Sequence, residues 1–361
     1  MSRRILCVRL DSAGDMLLAG PAIRAVAAQS VVTVLAGPQG ESAAGLLPGV
    51  SDVLVWRCPW IDPQPAPISP ADIAALVATI AAERFDAALI FTSFHQSPLP
   101  TALVLRMAGL AWVGAISTDY PGSLLDLRHQ VPEDLPEPER ARSLTAAAGF
   151  AQPPGDDGRL RVRRPLPDVT NLFGSAFGDD RPYVVLHPGT SVPARAWPVE
   201  KFRQAARLLT TEGWPVVLTG SPDERALTRH VASESEGAPG QITDLGGRTD
   251  LAGLAAVLDR AAAVVVGNTG PAHLAAAVGT PVVSLFAPTV PACRWRPYGV
   301  EHVLLGDQHA HCRDTRVTQC PYAGHPCLNS VSPADVVDAV TLLAGSPQRR
   351  PVPRIAAEVR S

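Results

Sequence analysis

Four short segments place carboxylate, imidazole, guanidinium or Gly-Thr groups directly after runs of apolar, mostly β-branched residues. In parallel α/β proteins such strand ends are where ligands bind. The first segment is Asp11-Ser12-Ala13-Gly14-Asp15. Its two carboxylates are of the type that removes a proton from a hydroxyl. Gly14 permits a close turn at a helix N-terminus, where backbone N–H groups are free. Ser12 or Asp15 can equally cap that helix, so residue types alone leave the general base open between Asp11 and Asp15. The spacing does not fit G-x-G-x-x-G, which argues against a dinucleotide enzyme.

The second segment, His187-Pro188-Gly189-Thr190, is followed by Arg195 and by Trp197-Pro198. A guanidinium there can pair with phosphate oxygens in a bidentate way, or it can simply be a solvated surface group. Trp197-Pro198 reads as a packing feature. In the third segment, Thr219-Gly220-Ser221-Pro222-Asp223-Glu224, Glu224 suits the first turn of a helix and can also accept hydrogen bonds from a ribose. The fourth segment runs from Val264 through Gly267-Asn268-Thr269-Gly270-Pro271 to His273. Two glycines permit a sharp turn, and Pro271 falls where proline is welcome in a first helical turn. The resulting amides, aimed along a helix dipole, form a ready anion site. His273 reads either as a ligand contact or as a buried structural histidine.

Three cysteines, Cys312, Cys320 and Cys327, lie near His309, His311 and His325. The C-x2-C spacing of structural zinc is absent, and reduced thiols in a loop-rich segment are the favoured reading.

The elements that must position these groups alternate between short strands and Ala/Leu-rich helices, the pattern of a parallel sheet. In the first half the expected strands are 5–10, 31–36, 53–56, 87–91 and 112–116, with helices 16–28, 71–84, 99–108 and 139–148. Residues 131–138 are expected to form a loop. Residues 150–181 break into Pro, Gly and Asp clusters and make the best linker, with a short strand expected at 160–162. A second series follows: strands 183–187, 216–219, 242–245, 264–266 and 282–286, and helices 199–211, 223–233, 251–262, 271–278 and 333–344. This divides the chain into domains 1–165 and 166–345, with a tail, 346–361, expected to be disordered.

The chain has 361 residues and a formal net charge of −3, without a basic run. Nucleic acid is therefore not the expected partner. Asp11 and Asp15 interrupt the only N-terminal apolar run, and no stretch reaches the length of a membrane helix. A cytoplasmic protein without a membrane span is expected, with peripheral membrane contact left open.

Taken in order, these segments resemble glycosyltransferase family 9, the ADP-heptose:lipopolysaccharide heptosyltransferase family. The likeness rests on residues 9–15, Phe94-His95-Gln96-Ser97-Pro98, His187-Pro188-Gly189-Thr190 with Trp197-Pro198, and Gly220-Ser221-Pro222-Asp223-Glu224. It continues through residues 267–274 to Gly324-His325-Pro326-Cys327-Leu328. The resemblance implies an α/β GT-B fold, two Rossmann-like doubly wound parallel-sheet domains facing a central cleft. It implies an inverting, metal-independent transfer without a cofactor, from ADP-heptose to a glycan, glycolipid or small-molecule acceptor. By the same likeness Asp15 is the catalytic base. Gly189, Thr190, Arg195, Glu224, Asn268, Thr269, Gly270, Pro271 and His273 bind the donor, while Ser12, Gly14 and His95 lie on the acceptor side. Family members commonly carry aspartate where this chain has Asn268. An amide is neutral and donates as well as accepts, so this departure bears on the donor sugar. Competing readings are a transferase of natural-product or other surface-glycan biosynthesis using a different nucleotide sugar, a nucleotide-sugar epimerase or hydrolase, and a noncatalytic sugar-binding scaffold.

Overall fold

The computed structural model describes residues 2–173, 181–233 and 242–347. The first half runs β1 (Arg3–Arg9), α1 (Ala13–Ala27), β2 (Ser30–Ala36), α2 (Glu41–Leu46), β3 (Val50–Val55) and α3 (Pro70–Glu83). It continues with β4 (Ala87–Ile90), α4 (Leu99–Met107), β5 (Val113–Ile116), β6 (Leu127–His129) and α5 (Glu137–Ala147). After α6 (Thr170–Phe173) the second half repeats the plan with β7 (Val184–His187), α7 (Val199–Thr211), β8 (Val216–Leu218), α8 (Arg225–Ala232), β9 (Ile242–Asp244) and α9 (Leu251–Asp259). It ends with β10 (Ala263–Gly267), α10 (Gly270–Val278), β11 (Val282–Leu285), α11 (Ala292–Trp295), β12 (His302–Leu305), α12 (Pro326–Asn329) and α13 (Pro333–Ala344).

The two expected Rossmann-like sheets are present, each six-stranded and parallel. The first is ordered β3-β2-β1-β4-β5-β6 and the second β12-β11-β10-β7-β8-β9. Read from β7, the second order is the first repeated. Register is fixed by the central strands, with Ile5 to Val8 of β1 opposite Ala87 to Ile90 of β4. In the second sheet Val184 to His187 of β7 lie opposite Ala263 to Val266 of β10. Strands β4, β7, β10 and β11 are buried at every position, which is why their sequences are near-continuous apolar runs rather than alternating ones.

Helix α1 joins the halves. It is buried on nearly all sides, including Leu17, Leu18, Ile23 and Val26, as a helix apolar all round should be. It packs on both α5 and α10. Glycine makes the approach to α10 feasible: a Cβ on Gly14 would lie 3.1 Å from Gly270 Cα and 3.0 Å from His273 Cδ2.

Several expectations change. Strands β6 and β12 were not expected; both are short, half-buried edge strands. Residues 160–162 form no strand, although Leu160 and Val162 are buried. Helix α5 starts at Glu137, inside the expected loop, with Pro138 in its first turn. The helix expected at 223–233 opens with a 3-10 turn, Pro222–Glu224. The disorder expected for the tail concerns residues that, beyond 347, lie outside the described ones.

Candidate active site

The two sheets face each other across a cavity of about 550 Å³. Its walls include the loops after β1, β4, β7 and β10, which flank the points where strand order reverses in each sheet, and are completed by segments after β2, β3, β11 and β12. Such switch points are where open α/β sheets bind ligands.

On the first side the centre is Arg9, the last residue of β1 and only 3% exposed. Its guanidinium lies 2.8 Å from Asp11 and 3.1 Å from Asp15. Asp11 is fully engaged, accepting from Gln96 Nε2 at 2.6 Å and from Ser93 Oγ at 3.2 Å. Asp15 accepts from Ser12 Oγ at 2.8 Å and from Trp295 Nε1 at 3.3 Å. Ser12 is also the N-cap of α1, so the capping and ligand-side readings of this loop coexist. Burial works to raise the Asp15 carboxyl pKa, but Arg9, the Ser12 and Trp295 hydrogen bonds and His273 outweigh it and hold it below the usual range. Asp11 is pushed the other way, by burial and by the negative charge of Asp15, against the pull of Arg9. Asp15 is therefore a carboxylate at neutral pH with a face toward the cavity, and Asp11 orients the cluster.

On the second side several polar atoms lack partners. Arg195 Nε, Asn268 Oδ1 and His273 Nδ1 are buried without a hydrogen bond, and all three residues line the cavity. Buried polar groups are normally paired, which makes this cluster a candidate ligand-binding wall. Arg195 Nη1 donates to Asn268 O at 3.3 Å. The Arg195 loop is itself tied down, since Ala194 N donates to Thr318 O at 2.9 Å and His325 Nε2 contacts Ala194 O at 3.1 Å. Burial lowers the His273 pKa to about 4, so its ring is neutral at physiological pH. Asn268 Nδ2 donates to Ala287 O at 3.5 Å, which leaves the amide oxygen as its unpaired acceptor.

The expected site residues separate into groups. Ser12, Gly14, Asp15, His95, Arg195, Asn268, Thr269, Gly270 and His273 line the cavity. Gly14, read as acceptor-side, sits against Gly270 and His273 at the junction of α1 and α10. Pro271 lies in the first turn of α10. Gly189, Thr190 and Glu224 form a neighbouring group outside the cavity lining. A Cβ on Gly189 would overlap the Glu224 carboxylate, while Thr190 turns onto its own loop at Val192. Glu224 also accepts from Ser221 N at 2.7 Å, closing the helix start. Trp197 packs edge-on to Phe202 and donates to Val331 O at 3.3 Å, as a packing residue should.

Sequence reasoning missed Arg9, Arg316 and Trp295. Arg9 carried a usable signal, a charge ending an apolar run. Arg316 is exposed and reaches the cavity from a left-handed position (φ 58°) in an irregular segment, and Trp295 comes from a one-turn helix with no periodicity. Cys312 and Cys327 are buried, and Cys320 Sγ is 3.5 Å from Tyr322 O.

Comparison with known proteins bears on the family and the fold. The sequence model of glycosyltransferase family 9 (heptosyltransferase) matches residues 73–325. Lipopolysaccharide heptosyltransferase 3 of Escherichia coli is 32% identical over 45% of this chain and 47% of its own length; the chain thus spans about half of that relative. Lipopolysaccharide heptosyltransferase 1 of E. coli K12 is 28% identical over 80% of this chain and 89% of that protein. A solved E. coli heptosyltransferase with ADP-2-deoxy-2-fluoro heptose has a similar fold, with TM-score 0.67 and 23% identity over 93% of this chain and 98% of that one.

Proposed function

The chain belongs to glycosyltransferase family 9, and from that premise we propose that it is an inverting transferase moving a heptose from ADP-heptose to a hydroxyl of a lipopolysaccharide-core-type acceptor. The observation that carries the reading is one cavity with an ionised, partly exposed carboxylate on one wall and unpartnered buried cation, amide and imidazole atoms on the other. The family relatives named as lipopolysaccharide heptosyltransferases, and the one solved with an ADP-heptose analogue, supply the donor and acceptor class.

In this reading the acceptor oxygen attacks the anomeric carbon from the Asp15 side while the bond from that carbon to the diphosphate oxygen breaks. The proton passes to Asp15 and ADP departs. A hydroxyl is a poor nucleophile unless its proton leaves in the transition state. Charge developing on the diphosphate meets the Arg195 guanidinium and the positive end of the α10 dipole, both fixed in advance. In this reading Glu224, which lies beside Gly189 just outside the cavity lining, accepts from the donor's ribose. A cation and a helix dipole already serve the leaving group, so the reading requires no metal. We further assign the reaction to the cytoplasmic side. No helix among the described residues is long and apolar enough to cross a membrane, and contact with a glycolipid acceptor is then peripheral.

The test is a panel of nucleotide sugars scored by thermal shift and then by nucleoside diphosphate release with and without a lipopolysaccharide-core acceptor, in the presence of EDTA. ADP-heptose is expected to stabilise the fold by mass action and to release ADP only with acceptor. Turnover without acceptor would replace the reading by a hydrolase or epimerase. Stabilisation by a different nucleotide sugar alone would move the donor assignment, and Asn268 is the residue that would then explain it.

A further inference from the structure

Helix α11 belongs to the second half of the chain, yet the segment around it contacts the first half three times beside Asp15. Trp295 Nε1 donates to Asp15 Oδ1 at 3.3 Å, and its ring lies 5.7 Å from that of Phe94. Arg294, only 6% exposed, lies over the Phe94 ring at 4.4 Å and reaches Glu137 Oε1 at 3.5 Å, a carboxylate 3% exposed. Tyr298 OH donates to Glu139 Oε1 at 3.2 Å. A buried ion pair of this kind contributes little net stability, but it fixes where the segment sits.

We infer that Trp295 is a positioning residue for the catalytic base, its indole N–H fixing the Asp15 carboxylate so that the base is complete only when the second domain is seated on the first. The inference rests on the assignment of Asp15 as the base. On Asp15, Oδ1 is held by Arg9 and Trp295 and Oδ2 by Ser12. Of these three partners only Trp295 comes from the donor-binding half, so it ties base geometry to the placement of the donor. Arg294 and Tyr298 act as the anchors that bring the indole to that position.

Two substitutions separate the N–H from the ring. Trp295→Phe keeps the contact with Phe94 and removes the donor, whereas Trp295→Ala removes both. Trp295→Phe is expected to lower kcat roughly three- to tenfold, a modest figure for a hydrogen bond to a charged group because 3.3 Å is long. Its KM for the donor and its affinity for ADP should stay within about twofold of wild type. Wild-type kcat in Trp295→Phe, or ADP affinity falling in step with kcat, would overturn the inference. Asp15→Asn, assayed alongside, distinguishes the two failures: if it keeps turnover, the base assignment itself is wrong. A second readout needs no turnover. In a spectrum of 15N-labelled indoles, the resonance missing from Trp295→Phe belongs to Trp295, and Asp15→Ala should shift it upfield. An unmoved resonance would overturn the contact whatever the reaction is.

Discussion

At the switch point between β1 and β4 the loops carry Asp11, Asp15, Ser93 and Gln96; at the matching point between β7 and β10 they carry Arg195, Asn268 and Thr269. Strand order and position in the sheet are the same. The first cluster is anionic and satisfied mainly within its own half, with Arg9 bridging both carboxylates. The second is cationic or neutral and holds three residues with a buried unpartnered atom, Arg195, Asn268 and His273, against Arg9 alone in the first. One topology thus offers two equivalent loop positions, and under the proposed function side-chain chemistry gives them opposite tasks: a base oriented before substrate arrives, and a wall that keeps hydrogen bonds for the donor.

The largest expected effect breaks the first cluster. Asp15→Asn should reduce kcat about 10²–10⁴-fold while ADP affinity, measured by calorimetry, remains near wild type. Loss of binding in parallel would erase the division of labour between the halves. Arg195→Gln is the counterpart: a loss of about 10²–10³-fold, accompanied by weaker ADP binding, read from steady-state kinetics and titration. An effect confined to kcat would place Arg195 with the chemistry rather than with the diphosphate.

The connecting segment sharpens the comparison further, because its ties to the two halves differ. Asp156 holds Arg24 of α1 in a bidentate pair at 2.6 and 2.7 Å, with side chains 6% and 11% exposed. Arg164 holds Asp259 of α9 in a similar geometry, but its side chain is 53% exposed. Asp156→Asn should cost about 3 kcal/mol in urea unfolding, whereas Asp259→Asn should cost under about 1 kcal/mol. The hydrogen bonds from Arg24 hold the Asp156 carboxyl far below the usual carboxylate range. Its contribution is therefore complete above the unfolded-chain value of about 3.9 and fades as pH falls toward the folded one. The gap between wild type and Asp156→Asn should narrow in acid below about pH 4, and a gap that persisted there would mean packing rather than charge. A small effect of similar size lies at the junction itself. Gly14→Ala gains helix propensity, yet its Cβ meets Gly270 and His273 at 3.0–3.1 Å, so a net loss of about 1 kcal/mol is expected in thermal unfolding.

Much of this was legible in the sequence. The continuous apolar runs of β1, β4, β7 and β10 show which strands are central, because a strand buried on both faces admits few polar residues. Each such run ends in a site loop, so the residues after it, Asp11 to Asp15 and Asn268 to His273, could be picked out without coordinates. Edge strand β6 escaped because Leu127-Arg128-His129 carries a single apolar side chain, and β12 because its short run Val303 to Leu305 falls in a Pro- and Cys-rich stretch. Trp295 and Arg316 escaped because they sit in irregular segments whose place depends on the rest of the fold.

By itself the sequence determined the family, the two tandem α/β units and the set of strand-end residues, since burial pattern and turn chemistry are local properties carried by neighbouring residues. Only the tertiary structure decided how those residues divide. It made Arg9 the centre of the acidic cluster and gave Asp11 partners in Arg9, Ser93 and Gln96. It left Arg195, Asn268 and His273 with unpaired atoms, and it brought Trp295 from 280 positions away to the carboxylate of Asp15. Hydrogen-bond saturation and desolvation depend on every neighbour in space, and most of those neighbours are distant along the chain.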